Sequence, residues 1–213
     1  MNDQFPAAAL TPSDVSATYA GVRPVVDDGK GEASKATRDH VVLDESGLIT
    51  LTGGKLTTFR LMAQDALALA APHAGKPFAR DEVAIFTPAP SLNPHWSAAT
   101  RYRLAARYGY QAEVLAADAS EADLQTIPGT NTLWLELAIA ARSEAVVHLD
   151  DLLLRRTRLG LLLPRGGLDH LERIRTLCAA HLPWDEDQWL AELTRYRALI
   201  AAHYALPQPQ GSA

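Results

Sequence analysis

Cysteine is almost absent from this sequence of 213 residues, which contains only Cys178. A single thiol excludes an intrachain disulfide and a metal site built from several thiolates, and it is typical of a reducing compartment. We expect Cys178 to be a small apolar residue inside a helix. No metal site is predicted.

An excess of positive charge is also lacking. The chain has 20 lysines and arginines against 25 aspartates and glutamates, which gives a net charge of −5. This balance offers no broad basic surface for wrapping nucleic acid, so nucleic acid is not an expected partner. Any anion that binds must be met by a local cluster of cations.

Long apolar runs are missing as well. No stretch of about 18 uninterrupted apolar residues occurs, and the opening MNDQFPAAALTPSDV lacks the basic and apolar regions of a signal peptide. We therefore expect a cytoplasmic protein without a transmembrane helix. Since 47% of the residues are hydrophobic, the chain can bury one sizeable core or two modest ones.

The first quarter of the chain has the composition of a small sheet. Residues 15–26, VSATYAGVRPVV, are rich in Val, Thr and Gly, and the segments DHVVL (39–43) and GLITLT (47–52) are joined by the turn-forming DESG. These patterns predict short strands.

A helix is predicted directly after the last strand. Apolar residues recur at helical spacing over residues 56–70, until Pro72 and Gly75 stop the run. Gly53 and Gly54 end the strand, so the sequence GGKLTT lies on a strand-to-helix turn.

The remainder of the chain has helical patterns almost to its end. We predict helices near 95–108, 111–117, 132–147, 149–160, 168–181 and 186–204. The last helix is preceded by Asp185, which has the spacing of a capping box with Gln188. The predicted fold class is therefore α+β, with strands and one helix over residues 1–75 and an all-α domain over residues 76–213.

The glycine pair at the turn raises the possibility of a phosphate-binding loop. An ATP-binding loop of the Walker type needs a glycine where Ile49 stands and a serine or threonine where Leu56 stands, so that interpretation fails. A glycine-rich turn that enters a helix still presents free N–H groups and the positive end of the helix dipole to an anion. A plain strand-to-helix corner, with Lys55 in solvent, is the alternative.

Two arginines upstream favour the anion. Arg23 lies in YAGVRP and Arg38 in ATRDH, and both stand with Lys55 at the ends of predicted strands. Arginine forks and a lysine point charge are the groups that recognise a phosphate. The three cations together indicate a small anionic ligand, although each alone is more often a solvated surface residue.

Four motifs carry a resemblance to a known family. TYAGVRPVVDDG, ATRDHVVL, GLITLTGGKLTTFRLMAQDAL and VVHLDDLLLRRTRLGLLLP occur in order over about residues 10–204. In this respect the chain resembles the C-terminal portion of FAD-dependent glycerol-3-phosphate dehydrogenase. That family oxidises sn-glycerol 3-phosphate to dihydroxyacetone phosphate and passes electrons through the flavin to quinone at the membrane.

The resemblance implies roles for particular residues. Arg23, Arg38 and Lys55 are expected to approach the substrate. The cofactor-facing turn comprises Gly53, Gly54, Leu56, Thr57 and Thr58. This motif begins the helix whose amino end faces the pyrimidine side of the flavin, where a helix N-terminus stabilises negative charge.

One part of the family pattern is missing from the sequence. The glycine pattern G-x-G-x-x-G, which holds the ADP half of FAD, does not occur, and GKGEAS at residues 29–34 lacks its third glycine. No general base can be assigned to any of the seven histidines; His40 is most simply a strand residue. The chain is therefore expected to be inactive without an FAD-binding domain.

The expected partners follow from the resemblance. They are glycerol 3-phosphate, an FAD-binding domain of the same enzyme, quinone, and the inner face of the cell membrane, to which the full-length enzyme would be peripheral. The strands before residue 53 are expected to need that domain for packing, whereas the helical half should fold by itself. A non-catalytic helical interaction module and part of an oxygen-using glycerophosphate oxidase are the alternatives.

The motif LLLRRTRLG contains three arginines that need partners. Asp151 lies four residues before Arg155, which predicts an ion pair on a helix. Arg156 falls on the apolar face, so we expect Glu144 or Asp150 to supply a carboxylate to it. The predicted role of this cluster is structural.

Overall fold

The computed structural model describes residues 1–22 and 39–206. The chain divides into two compact units. The hairpin unit is Gly21–Thr87, and the helical unit combines Met1–Ala20 with Pro88–Ala213. The predicted α+β class is confirmed.

The described part of the hairpin unit contains two strands and one α-helix. Strands β1 (His40–Glu45) and β2 (Leu48–Gly53) pair antiparallel, from His40 opposite Gly53 to Glu45 opposite Leu48. Ser46 and Gly47 form the two-residue turn with φ of +56° and +94°, and this primed geometry matches the twist of the strands. The predicted hairpin is therefore confirmed.

Helix α1 (Phe59–Ala70) follows β2 after one 3₁₀ turn, Leu56–Thr58. It ends just before Pro72, as its sequence predicts. None of the residues that the structure describes in the hairpin unit is buried. A two-stranded hairpin with one helix has too little surface of its own to form a core.

The helical unit contains six α-helices within its described residues. They are α2 (Ala98–Tyr108), α3 (Ala112–Leu115), α4 (Trp134–Ser143), α5 (Leu159–Leu162), α6 (Leu171–Cys178) and α7 (Glu186–His203). Asp185 caps α7 by accepting a hydrogen bond from the N–H of Gln188 at 2.8 Å.

The continuous helix predicted near residues 149–160 is wrong. Asp151–Arg156 forms a π-helical segment. Arg158 has φ of +60°, a left-handed conformation that separates this segment from α5. Apolar periodicity alone cannot distinguish an α-helix from this wider turn, since both bury leucines at similar intervals.

Helix α4 lies between two apolar clusters. Leu135 and Ile139 pack with Leu104 and Ala112 of the preceding helices, while Leu137 and Ala140 belong to the cluster that includes Tyr196. Cys178 is buried in this second cluster, as expected, and burial raises the pKa of its thiol to about 12. A helix that is apolar on nearly all sides must be enclosed in this way.

One fully buried charge interrupts the apolar surface of α4. The side chain of Glu136 has no solvent exposure, and it accepts two hydrogen bonds of 2.8 Å from Arg103. Its Oε1 also accepts from the N–H of Leu133 at 2.8 Å, and Arg107 lies 3.2 Å from its Oε2. The hydrogen bonds to Glu136 raise the pKa of Arg103. This pairing joins α2 to α4.

The first 20 residues belong to the helical unit, whereas the sequence-based division at residue 75 groups them with the strands. The N–H of Thr18 donates to the carbonyl of Tyr204 at 2.8 Å, and its hydroxyl donates to Ala205 at 2.9 Å. These bonds attach the N-terminal arm to the end of α7. Across the two described ranges, no helix is both long and apolar enough to span a bilayer.

The arginine cluster combines one confirmed prediction with one wrong prediction. Arg155 pairs with Asp151 at 3.0 Å, as predicted, and also with Asp150. In contrast, the Nε of Arg156 donates to the backbone carbonyl of Glu144 at 2.6 Å rather than to a carboxylate. Because Arg156 is only half-buried, a carbonyl and solvent suffice for it.

We expect Glu136→Gln to lower the free energy of unfolding of the helical unit by about 3 kcal/mol. This figure is at the low end for breaking a buried ion pair, because Arg103 is part-exposed. Chemical denaturation followed by tryptophan fluorescence measures the change. Glu186→Gln removes the exposed partner of Arg175 and serves as the control, with no measurable loss expected. Equal stability of the two variants would contradict the role given to Glu136.

Candidate functional site

The strand-to-helix corner depends on two consecutive glycines. Gly53 and Gly54 have φ of +77° and +79°, a region that side chains disfavour. A Cβ on Gly54 would also lie 2.5 Å from the sulfur of Met62 on α1 and 3.2 Å from Cβ of His40 on β1. The turn therefore favours glycine at position 54, and a side chain there would displace the end of Met62 and crowd His40.

Thr58 closes the turn that begins at Lys55. Its hydroxyl accepts from the N–H of Lys55 at 3.2 Å and donates to the Lys55 carbonyl at 3.0 Å. The N–H of Thr58 donates to the same carbonyl at 3.0 Å. These three bonds use the backbone N–H and carbonyl of Lys55 and the N–H and hydroxyl of Thr58 within the corner.

The next two backbone donors have no acceptor among the described residues. The N–H groups of Leu56 and Thr57 make no hydrogen bond to any residue in 1–22 or 39–206. The ammonium of Lys55 pairs with no carboxylate in the same ranges, and Leu56 is 90% exposed. The corner therefore offers two N–H donors, one cation and one apolar side chain.

The structure places only part of the predicted site. Gly53, Gly54, Lys55, Leu56, Thr57 and Thr58 form the corner as one continuous turn. Arg23 and Arg38 lie outside the described residues, so their roles near the substrate stay predictions. No group of three or more His, Cys, Asp or Glu within the described ranges could hold a metal ion.

His40 has a structural partner beneath the corner. Its Nε2 lies 2.7 Å from Oδ2 of Asp65 on α1, and Arg80 contacts the other oxygen of the same carboxylate. Hydrogen bonding from His40, with a smaller contribution from Arg80, lowers the pKa of Asp65. His40 is the first residue of β1, as predicted. Its link to Asp65 was not predicted, because the two residues lie 25 positions apart.

An exposed apolar surface adjoins the corner. Phe59 of α1 and Phe86 form an edge-to-face pair with ring centroids 6.3 Å apart, yet Phe86 is 80% exposed. Leu61 and Val83 are also exposed in this unit. A surface with this many uncovered apolar side chains is typical of one that meets another protein surface.

Comparison with known proteins shows the family of the chain. Residues 49–189 match the sequence model of the C-terminal domain of alpha-glycerophosphate oxidase. The chain belongs to this family. The matched range begins in β2 and includes the complete glycine corner and α1.

Several proteins that are similar to the chain are glycerol-3-phosphate dehydrogenases. Glycerol-3-phosphate dehydrogenase 2 of Mycobacterium tuberculosis is 32% identical over 92% of the chain, and glycerol-3-phosphate dehydrogenase 1 of the same organism is 38% identical over 72%. The mitochondrial glycerol-3-phosphate dehydrogenase of Bos taurus is 32% identical over 88%. The chain spans 37%, 32% and 28% of these relatives' lengths, respectively. No solved structure matches it.

We expect Gly54→Ala to lower the opening free energy of the hairpin by about 1–3 kcal/mol, because it combines backbone strain with contacts to Met62 and His40. Amide hydrogen exchange across β1 and β2 measures this change. Gly75→Ala is the matched control, since Gly75 also has a positive φ of +61° but open space around it. A loss in Gly75→Ala as large as that in Gly54→Ala would contradict the packing role.

The carboxyl group of Asp65 should titrate below its ordinary value of 3.8. A lowered pKa means that the carboxylate stabilises the folded form. This contribution is present above about pH 4 and is lost as the pH falls through the lowered pKa. Carbon-detected NMR titration of Asp65 tests the shift. In His40→Ala the pKa should move back toward 3.8, and an unchanged value there would refute His40 as the main cause.

Proposed function

We propose that this chain forms the substrate-binding and flavin-facing part of an enzyme that oxidises sn-glycerol 3-phosphate to dihydroxyacetone phosphate. The observation that carries the proposal is the glycine corner, with its two N–H donors and Lys55. The names of the relatives agree with glycerol 3-phosphate as the substrate. The chain would act with an FAD-binding domain and be inactive without it.

The residues of the corner fit one part of FAD. FAD, when bound, would accept the hydride from the substrate carbon. The N–H groups of Leu56 and Thr57, at the amino end of α1, would hold negative charge on the pyrimidine side. The sequence has no G-x-G-x-x-G cradle for the pyrophosphate, so the fit extends to the flavin end only.

Substrate binding would rest on three cations. Lys55 offers its ammonium to the phosphate group, and we assign Arg23 and Arg38 to the same ligand on their motifs. An arginine fork and a lysine point charge together hold a phosphate in one orientation. The proton acceptor for the substrate hydroxyl is not assigned to any histidine of this chain.

The exposed apolar surface of the hairpin unit supports the proposal of a partner domain. Leu56, Phe59 and Phe86 are uncovered, and no described residue of the hairpin unit is buried. An FAD-binding domain that covered this surface would supply the core that the unit lacks. In the complete enzyme we place quinone as the next electron acceptor, at the inner face of the cell membrane.

Oxygen is the second candidate acceptor. The matching family model is that of an alpha-glycerophosphate oxidase, whereas the matching relatives are dehydrogenases. Oxygen uptake and quinone reduction by a full-length enzyme that carries this chain separate the two possibilities.

In such an enzyme, Lys55→Met should lower kcat/KM for glycerol 3-phosphate about 30- to 900-fold. This corresponds to a loss of about 2–4 kcal/mol in transition-state stabilisation, the range for truncating one member of a desolvated charge pair. Glycerol should be affected little, because it has no phosphate. Arg23→Ala and Arg38→Ala are expected to behave alike. Lys76→Met removes another exposed lysine of the hairpin unit and serves as the control. Equal losses with glycerol and glycerol 3-phosphate would contradict a phosphate-binding role.

The purified chain alone should not retain FAD, since no pyrophosphate cradle is present in its sequence. Absorbance of the flavin after gel filtration measures retention. Adding an FAD-binding domain from a relative should restore retention, and a stoichiometric yellow chain without that domain would count against the proposal.

A further inference from the structure

One side chain of the arginine motif has no partner among the residues that the structure describes. Arg155 pairs with Asp150 and Asp151, and Arg156 bonds the carbonyl of Glu144. The side chain of Arg158 makes no ion pair or hydrogen bond to any described residue, and it is exposed. It also has φ of +60°. A non-glycine residue held in this conformation carries a backbone cost, which is common at ligand sites.

Arg158 lines an open cleft of about 840 Å³ within the helical unit. Arg103 and Arg107 of α2 line the same cleft. Thr130, Thr132 and Thr157 also line the cleft, and the hydroxyl of Thr132 accepts a hydrogen bond from Nη2 of Arg103 at 3.4 Å. We call this feature the arginine cleft.

The charges that line the arginine cleft are incompletely neutralised. Glu136 and Glu144 lie behind the cleft wall and offset two of the three guanidinium charges, since Glu136 pairs with Arg103 and Arg107, and Glu144 lies 3.6 Å from Arg107. One charge, that of Arg158, remains without a carboxylate among the described residues. An anion with several acceptor oxygens suits one free cation with further guanidinium donors beside it.

Hydrogen-bond donors remain available on each arginine. Arg103 uses Nε and Nη2 on Glu136, and Arg107 uses its Nε on Tyr108 and its Nη2 on the carbonyl of Arg156. The Nη1 group of both side chains has no acceptor within the described ranges, and neither does the whole fork of Arg158. Guanidinium forks of this kind match the oxygens of a phosphoryl group.

Apolar groups line the cleft beside these cations. Tyr19 is 71% exposed and Leu162 is 53% exposed, and both belong to the cleft wall. The cleft volume of about 840 Å³ lies within the range of about 300–1,000 Å³ that is typical of organic ligands. It is much larger than a single phosphate ion needs. The ligand should therefore have a body as well as a charged group.

We propose that the arginine cleft binds a small organic phosphate monoester, with its phosphoryl group on Arg158, Arg103 and Arg107 and its apolar or ring portion on Tyr19 and Leu162. The cleft lies in the helical unit, whereas the glycine corner lies in the hairpin unit. The inference is therefore independent of the proposed function.

Isothermal titration of the full chain tests this site, with phenyl phosphate as the probe. Phenyl phosphate should bind more tightly than inorganic phosphate, because it adds contacts to the apolar wall, and more tightly than benzoate, which offers two acceptor oxygens to the guanidinium donors rather than three. Backbone amide shifts of Thr130 and Thr157 should move on titration. Benzoate binding as tightly as phenyl phosphate would overturn the phosphate assignment.

Variants of Arg158 separate the charge from the fold. Arg158→Gln should weaken phenyl phosphate binding roughly 10- to 100-fold, the range for one charge-assisted hydrogen bond, and Arg158→Lys should lie between it and the parent chain. Arg158→Gly relieves the positive φ and should bind as weakly as Arg158→Gln while it remains folded. Arg197→Gln removes another exposed arginine without a partner among the described residues and should leave binding unchanged.

Two results would overturn the site as proposed. One is unchanged affinity in both Arg158→Gln and Arg158→Gly. The other is binding to vesicles that contain phosphatidic acid without any binding of soluble phenyl phosphate, because the source of the phosphoryl group would then be a lipid headgroup.

Discussion

The buried carboxylate of Glu136 is the interaction on which the helical unit depends. Helix α4 can be enclosed by two apolar clusters only because its single internal charge is matched by Arg103 and Arg107. The same contacts hold these two arginines in place at the wall of the arginine cleft. Stability of the core and placement of the cations are therefore achieved by one set of hydrogen bonds, and a ligand would meet cations that are already oriented.

Much of the fold follows from local patterns in the sequence. The turn DESG, two short segments rich in Val and Thr, and a glycine pair predict the hairpin and the start of α1, because each signal lies within a few residues of its effect. Asp185 predicts the start of α7 for the same reason. The π-helical segment at Asp151–Arg156 was not predictable, since its leucines keep a spacing that an α-helix would also produce.

The candidate site divides in a similar way. The corner from Gly53 to Thr58 is local and could be located from sequence, whereas Met62 and Asp65 meet it only after α1 folds back on β1. Arg103 and Glu136 are 33 positions apart, and no spacing in a single sequence links them. The sequence shows Arg158 as one of three arginines in a motif. Only the structure shows that Arg155 and Arg156 have partners and that the Arg158 side chain has none among the described residues.

The exposure of the hairpin unit has a consequence for the stability of the corner. A surface that is buried only in a complex gains stability from its partner by mass action, in proportion to the logarithm of partner concentration over the dissociation constant. The stability of the turn at Gly53–Thr58 would then depend on the concentration of the covering domain as well as on temperature and solvent. A covering domain that is covalently linked to the hairpin unit acts at a high effective concentration. Covalent linkage would therefore keep this surface covered and the corner stable.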